Sequence, residues 1–339
     1  MVNVLLASPL AADLVERIAA VDPRVRLTYR PDLLGQPRYP GDHYPPVRRT
    51  NAQAAEWASL LRDAEVLLDV DQPSAPDIVQ LAPRLRWIQS SSSGVGQWIK
   101  RLKLDETPIV VTNAAGMHAQ PLAEYAIFAM LYFARDWPRL AAEQRAHHWD
   151  RCAIDTLERK TLGIIGLGQV GCTIARLAKP FGMRVLGIRR SGAGANDADV
   201  DQVFTPDRLA DVLRQSDYLV LSVPYTHETA GMLGADELAL LKPRAVLINI
   251  ARGTIVDEGA LIAALAANKL GGAALDVFSH EPLPADSPLW DMPNVLVTPH
   301  SMSTANTENE WLTGLFCDNL RRYLEGEPLR NQVDKIRGY

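Results

Sequence analysis

The chain has 339 residues, enough for two domains of ordinary size. Hydrophobic residues make up 47% and charged residues 22%, a globular balance that excludes wholesale disorder. A formal net charge of -5 gives no basic excess to meet phosphates, so neither a nucleic acid nor a membrane is expected as a partner.

The first third alternates strand and helix signals. Val2 to Ala7 predicts a strand and Leu10 to Val21 a helix with apolar residues at helical spacing. Short apolar runs at Ala64 to Val70, Arg86 to Gln89 and Ile109 to Thr112 predict further strands. Strands of this kind, separated by helices, imply a parallel sheet covered on both faces. Residues Pro31 to Thr50 interrupt the rhythm with Pro31, Pro37, Pro40, Pro45 and Pro46, and with Tyr39 and Tyr44. A long surface loop is expected there. It reads either as a solvated insertion or as a flap over the substrate or an arm onto a partner subunit.

Ala119 to Arg135 is a long apolar helix without an obvious polar face, which predicts burial on most sides. A second strand–helix series starts near Thr161. Strands are expected at Leu162 to Ile165, Arg184 to Ile188, Asp217 to Val223, Ala245 to Ile250, Gly272 to Leu275 and Val295 to Val297. Helices are expected at Val170 to Ala178 and Ala260 to Ala267, and together these make a doubly wound domain. Glu310 to Leu324 has helical spacing and is expected to fold back onto the first domain.

Three cysteines, Cys152, Cys172 and Cys317, form no CxxC pair, so no disulfide framework and no metal site is expected. The reducing cytosol is the natural compartment, and the N-terminus shows neither a basic start nor a long apolar run of a targeting segment. Cys172, at the glycine motif described next, reads as core filler.

Gly166-Leu167-Gly168-Gln169-Val170-Gly171 matches GxGxxG between a predicted strand and a predicted helix. The first glycine permits the turn, the second lets backbone approach a pyrophosphate, and the third allows close helix–strand packing. The helix N-terminus then offers free N–H groups to the anion. After the next strand an NAD site places a carboxylate, but here the chain reads Arg189-Arg190-Ser191, with no acid until Asp197. Two guanidiniums and a hydroxyl suit a 2′-phosphate, so NADP(H) is the expected cofactor, with NAD(H) as the alternative.

Arg252, Glu281 and His300 follow the predicted strands ending near Ile250, Leu275 and Val297. Ligands of open α/β sheets sit beyond such strand ends. Reduction of a 2-oxo acid needs a cation for its carboxylate and carbonyl oxygen, which Arg252 can supply. It also needs an acid for the developing alkoxide, which His300 can be, with Glu281 to orient the ring.

Through Leu162 to Gly171, Asp217 to Pro224, Asn249 to Leu261, Leu275 to Pro282 and Thr298 to His300, the chain resembles the D-isomer-specific 2-hydroxyacid dehydrogenases. The resemblance, which includes members of the glyoxylate/hydroxypyruvate reductase kind, runs over most of the chain. It implies two doubly wound α/β domains: a Rossmann cofactor domain, 114–305, inserted in a flavodoxin-like substrate domain, 1–113 and 306–339. It implies that Arg252, Glu281 and His300 are substrate arginine, supporting acid and proton donor. Asp276 would hydrogen-bond the nicotinamide amide. Gly166, Gly168, Gln169, Val170, Arg189, Arg190, Ser191, Val223, Pro224, Ile250 and Ala251 would line the cofactor. Ser93, Gly94, Val95 and Gly96 resemble the family's substrate loop, whose backbone N–H groups form a nest for the carboxylate. A small 2-oxo or 2-hydroxy acid substrate and a homodimer are further implications.

Two departures stand out. Ser301-Met302-Ser303-Thr304 follows His300 where many members have Ile-Gly or Ile-Ala, and the proline-rich stretch lacks a counterpart. Two rival functions use the same fold: a formate-type or phosphite-type dehydrogenase, and a cofactor-sensing corepressor. Glu281 disfavours the formate type, whose members usually carry glutamine there.

Overall fold

A computed structural model describes residues 1–191 and 197–338. Residues 192–196 and Tyr339, which the expected domain ranges include, lie outside the described residues. The chain divides into two compact units, one of Met1–His118 with Thr304–Tyr339 and one of Ala119–Ser303. The breaks thus fall at His118 and Ser303, a few residues from the expected 113 and 305.

The first unit is built on five parallel strands: β1 (Val2–Leu6), β2 (Val25–Tyr29), β3 (Val66–Leu68), β4 (Trp87–Gln89) and β5 (Val110–Thr112). Their order is β2-β1-β3-β4-β5, the flavodoxin-like winding. Central strands are apolar on both sides because both faces are covered. Leu5, Leu67, Ile88 and Val111 meet Trp57 and Leu61 on one face. Val4, Leu6, Val66 and Trp87 meet Ile18 on the other, together with Leu312, Phe316 and Leu320 of the C-terminal helix Glu308–Glu325. That helix therefore belongs to this sheet's core, as its spacing predicts.

The proline-rich stretch is not a solvated insertion. Apart from a short turn at Pro31–Leu33 it is irregular, yet Leu33, Leu34, Asp42, His43 and Pro45 are buried. Arg49 lies over the ring of Trp57 at 4.4 Å and donates to Asp71 Oδ2 at 2.7 Å and to the Leu33 carbonyl at 2.8 Å. Prolines pin the backbone where secondary structure cannot, and inward side chains fix the rest.

Among the described residues, the second unit holds seven parallel strands: β6 (Thr161–Ile165), β7 (Arg184–Ile188), β8 (Gln202–Phe204), β9 (Tyr218–Leu221), β10 (Val246–Asn249), β11 (Gly272–Leu275) and β12 (Val295–Val297). The order β12-β11-β10-β9-β6-β7-β8 reverses beside β6, the winding of a dinucleotide-binding domain with one strand added. The helix Ala119–Ala134 packs Ala123, Ala126, Ala129 and Met130 into one face. It is less enclosed than expected: Gln120, Glu124 and Phe128, spaced four apart, form an exposed stripe. Among the described residues, no helix is long and apolar enough to cross a membrane.

Candidate active site

Each glycine of the motif is required for a different reason. Gly166 adopts φ +105°, a backbone open to glycine alone at little cost. A Cβ on Gly171 would lie 2.1 Å from the Gly166 carbonyl oxygen, so the helix Gln169–Ala178 starts hard against the turn. A Cβ on Gly168 would meet nothing within 4 Å. Open space at this glycine, over a helix N-terminus, is what a pyrophosphate needs, so these residues fit a dinucleotide. Gln169 and Val170 form the first turn of that helix.

Val223 and Pro224 follow β9, and the Val223 Cγ1 and Ser222 carbonyl flank Gly166. Ile250 and Ala251 follow β10 and are buried. All therefore stand at the carboxyl ends of strands around the winding reversal.

At the end of β7, Arg189 turns inward. Its Nε donates to the Leu167 carbonyl at 2.9 Å, Nη2 reaches the same oxygen, and Nη1 donates to Asp197 Oδ2 at 3.0 Å. The first acid after the strand is thus folded back onto the first arginine, a pairing that eight residues of separation concealed. Arg190 and Ser191 are exposed, with the Arg190 guanidinium 3.9 Å from Glu228.

The three catalytic candidates lie on successive strand-end loops. Asn249, buried at the end of β10, accepts the Ala251 N–H at 3.1 Å and donates to the Arg252 carbonyl at 3.1 Å, which closes the turn that presents Arg252. A Cβ on Gly253 would come within 1.9 Å of the Phe278 carbonyl carbon, so this turn packs directly on the loop after β11. That loop holds Glu281, whose Oε1 accepts the Phe278 N–H at 3.0 Å. His300 Nδ1 lies 2.7 Å from Glu281 Oε2.

Electrostatics follow from this geometry. Burial alone would raise the Glu281 carboxyl, but the His300 hydrogen bond, the Phe278 N–H and the charges of His300 and Arg252 outweigh it and hold it below its ordinary value. Burial pushes the Arg252 guanidinium down, and Glu281 opposes that shift. An anionic partner for Arg252 would relieve the cost of its burial.

Asp276, the expected partner of the nicotinamide amide, is held by its own chain. It is 1% exposed, and its carboxylate meets the Thr298 hydroxyl at 2.8 Å, the Ser301 N–H at 3.1 Å and the Met302 N–H at 3.2 Å. Burial raises its carboxyl despite these bonds. In this arrangement it is the anchor of the unusual Ser-Met-Ser-Thr segment. The Thr298 hydroxyl also lies 3.1 Å from the hydroxyl of Tyr125, whose burial pushes it up to about 12. Tyr125 carries no motif, and no sequence signal links it to residue 298.

In the first unit, Ser93 to Gly96 follow β4 and run into the short helix Gly96–Arg101. The Ser93 hydroxyl lies 3.0 Å from His118 Nδ1 and 3.1 Å from the Ala114 carbonyl, and its own carbonyl accepts from Asn113 at 2.9 Å. Gly94 is exposed, Val95 is buried, and a Cβ on Gly96 would meet the Gly338 carbonyl at 2.6 Å.

Such strand-end residues, on two doubly wound sheets with one glycine cradle, define a nicotinamide-dependent dehydrogenase. Residues 127–301 match the family model for the NAD binding domain of D-isomer specific 2-hydroxyacid dehydrogenases. A glyoxylate/hydroxypyruvate reductase B of Pectobacterium carotovorum subsp. carotovorum is 35% identical over 267 residues, 76% of this chain and 82% of the relative. A D-isomer specific 2-hydroxyacid dehydrogenase family structure from Aeromonas salmonicida superposes with a TM-score of 0.80 at 33% identity, over 98% of this chain and 99% of that one. One from Xanthobacter autotrophicus Py2, in complex with NADPH and MES, gives 0.78 at 31% identity, over 99% of both chains. The chain belongs to the D-isomer specific 2-hydroxyacid dehydrogenase family and is an NAD(P)-dependent oxidoreductase of that class.

Proposed function

We propose that the chain transfers hydride between NADP(H) and a small 2-oxo acid of the glyoxylate or hydroxypyruvate kind, the product being a D-2-hydroxy acid. The observation that carries this reading is the 2.7 Å His300–Glu281 pair, on strand-end loops beside the loop of half-buried Arg252. When bound, the nicotinamide supplies the hydride to the carbonyl carbon. Arg252 then holds the substrate's carboxylate and carbonyl oxygen, and its fixed planar donors favour the developing negative charge. His300 gives a proton from Nε2 to the alkoxide, while Nδ1 stays on Glu281, so the ring keeps its orientation through the transfer. In the first unit taken by itself, the Ser93 to Gly96 loop offers backbone N–H groups that suit a carboxylate.

NADP(H) is supported by Arg190 and Ser191 at the exposed end of β7, and by the NADPH complex of the Xanthobacter relative. The Arg189–Asp197 pair favours the second reading, NAD(H), because Asp197 brings a carboxylate near the place of a ribose hydroxyl. Steady-state kinetics of glyoxylate, hydroxypyruvate and larger 2-oxo acids with both cofactors decide the matter. A higher kcat/KM with NADPH is expected, and a higher value with NADH would sink that preference. Failure of every 2-oxo acid to oxidise either cofactor would sink the substrate class.

A homodimer and a cytosolic location complete the proposal. The second unit exposes Phe128 at 52%, Trp137 at 52% and Trp149 at 90%, large apolar groups that a partner subunit would cover. All three cysteines are free, in keeping with a reducing compartment.

A further inference from the structure

The flavodoxin-like sheet of the first unit has its own winding reversal, between β1 and β3. Beyond the carboxyl ends there, the proline-rich stretch inserts two polar side chains that the reaction described above does not use. Tyr44 donates to Asp69 Oδ1 at 2.8 Å, just after β3, and Asp69 also accepts the Ser91 N–H at 2.8 Å. His43 Nδ1 lies 2.7 Å from the hydroxyl of Ser8, just after β1.

The other nitrogen of His43, Nε2, lies 3.4 Å from Glu308 Oε1. His118 Nε2 lies 3.7 Å from the same oxygen, and His118 Nδ1 is the atom that meets the Ser93 hydroxyl. One carboxylate therefore receives two imidazoles, and each imidazole reaches a serine on its far side. The side chains of Glu308 and His43 are 7% and 4% exposed, and Glu308 Oε2 has no hydrogen-bond partner. Gly41, at φ +83°, packs against the same carboxylate, where a Cβ would lie 3.2 Å from Oε2. Burial would raise the Glu308 carboxyl, but the two histidines outweigh it and bring it to about 2, so the group is ionised.

Neither contact is a hydrogen bond: His43 Nε2 has no hydrogen-bond partner and His118 Nε2 stands at 3.7 Å, so Glu308 faces the two imidazoles as a buried charge, and a ring hydrogen on the nitrogen facing it is favoured. Which atom carries each serine hydrogen then depends on the imidazole facing it. The reach of the Glu308 charge ends on Ser93, the first residue of the proposed substrate loop.

We propose that Glu308 is a positioning residue for 2-oxo acid binding: through His118 it sets Ser93 at the head of the Ser93–Gly96 loop, and through His43 it ties that loop to the proline-rich strut and the end of β1. The inference rests on the reading of Ser93–Gly96 as the carboxylate loop. Glu308 touches no reacting atom in it.

A double-mutant cycle tests the proposal. Glu308→Gln and His118→Asn are each expected to raise KM for glyoxylate about tenfold, with kcat and KM for NADPH within about twofold of the parent. Glu308→Asp keeps the charge and recovers part of the loss. In a Ser93→Ala background neither Glu308→Gln nor His118→Asn adds more than about twofold, because Ser93 is the atom through which both act. Parent-like KM values, an equal rise in KM for NADPH, or effects that multiply with Ser93→Ala would each overturn the proposal. If Glu308→Gln does not fold, the His118→Asn cycle decides alone. If the parent reduces no 2-oxo acid, the functional reading falls on that result. Calorimetric titration with oxalate then tests the positioning role: about tenfold weaker binding in His118→Asn supports it, and equal binding, or none to the parent, refutes it.

Discussion

His300 adopts φ +51°, a left-handed backbone that costs a non-glycine residue free energy. Its N–H donates to the Thr298 carbonyl at 3.1 Å, and its ring is held by Glu281, so the strain is maintained by its neighbours. His300→Ala is expected to lower kcat by about two to four orders of magnitude while the Kd for NADPH changes less than about threefold. Unchanged kcat would refute its role as proton donor. Arg252→Ala should instead abolish 2-oxo acid use through both KM and kcat, since it removes the cation that holds the carboxylate and the donors that favour the developing negative charge. Wild-type kcat/KM for glyoxylate in that variant would remove Arg252 from the site. The sequence made these two residues visible because each sits just after an apolar run. The anchoring of Asp276 by Thr298, Ser301 and Met302 was not visible, since hydrogen bonds over 22 to 26 residues leave no spacing rule to read.

At the scale of the element, the glycine turn separates binding from folding. Gly168→Ala adds a methyl group to open space, so it should leave Tm within about 2 °C and weaken the dinucleotide. Gly171→Ala drives a methyl group onto the Gly166 carbonyl and should lower stability by about 1–3 kcal/mol, an overpacking cost. Thermal melts with and without NADPH check both; equal loss of Tm in the two variants would refute the distinction. Ten of the twelve strands among the described residues coincide with apolar runs, but β2 and β8 do not. Both lie at sheet edges: Val25–Tyr29 is half-exposed along its length, and Gln202–Phe204 buries only Phe204, so neither shows a continuous apolar run. The helix Asn51–Asp63 did carry a signal, the capping box of Thr50 and Gln53, which follows the prolines directly.

For the whole molecule, Glu308 predicts acid behaviour. Its carboxyl lies at about 2 in the fold against an ordinary 4.5, so its stabilisation is present above pH 4.5 and is lost as pH falls toward 2. The loss is at most about 3 kcal/mol, and Glu308→Gln should flatten the fall of Tm across that window. Equal slopes in parent and variant would show that the two histidines do not hold the carboxylate. The exposed aromatics of the second unit predict a particle of twice 37.3 kDa by light scattering, and Phe128→Glu with Trp149→Glu should convert it to monomer. A parent that already runs as monomer would refute the dimer.

The sequence by itself determined two parallel sheets, the dinucleotide turn, and Arg252, Glu281 and His300 at strand ends. Those features depend on local periodicity and on the fixed rule that parallel strands put their carboxyl ends on one edge. Tertiary structure alone decided that Arg189 pairs with Asp197, that Asp276 anchors the segment after His300, and that the proline-rich stretch turns His43, Tyr44 and Arg49 inward. The physical reason is the same in each case: a polar side chain's partner is chosen by what burial brings near it, and no period in the sequence encodes that meeting.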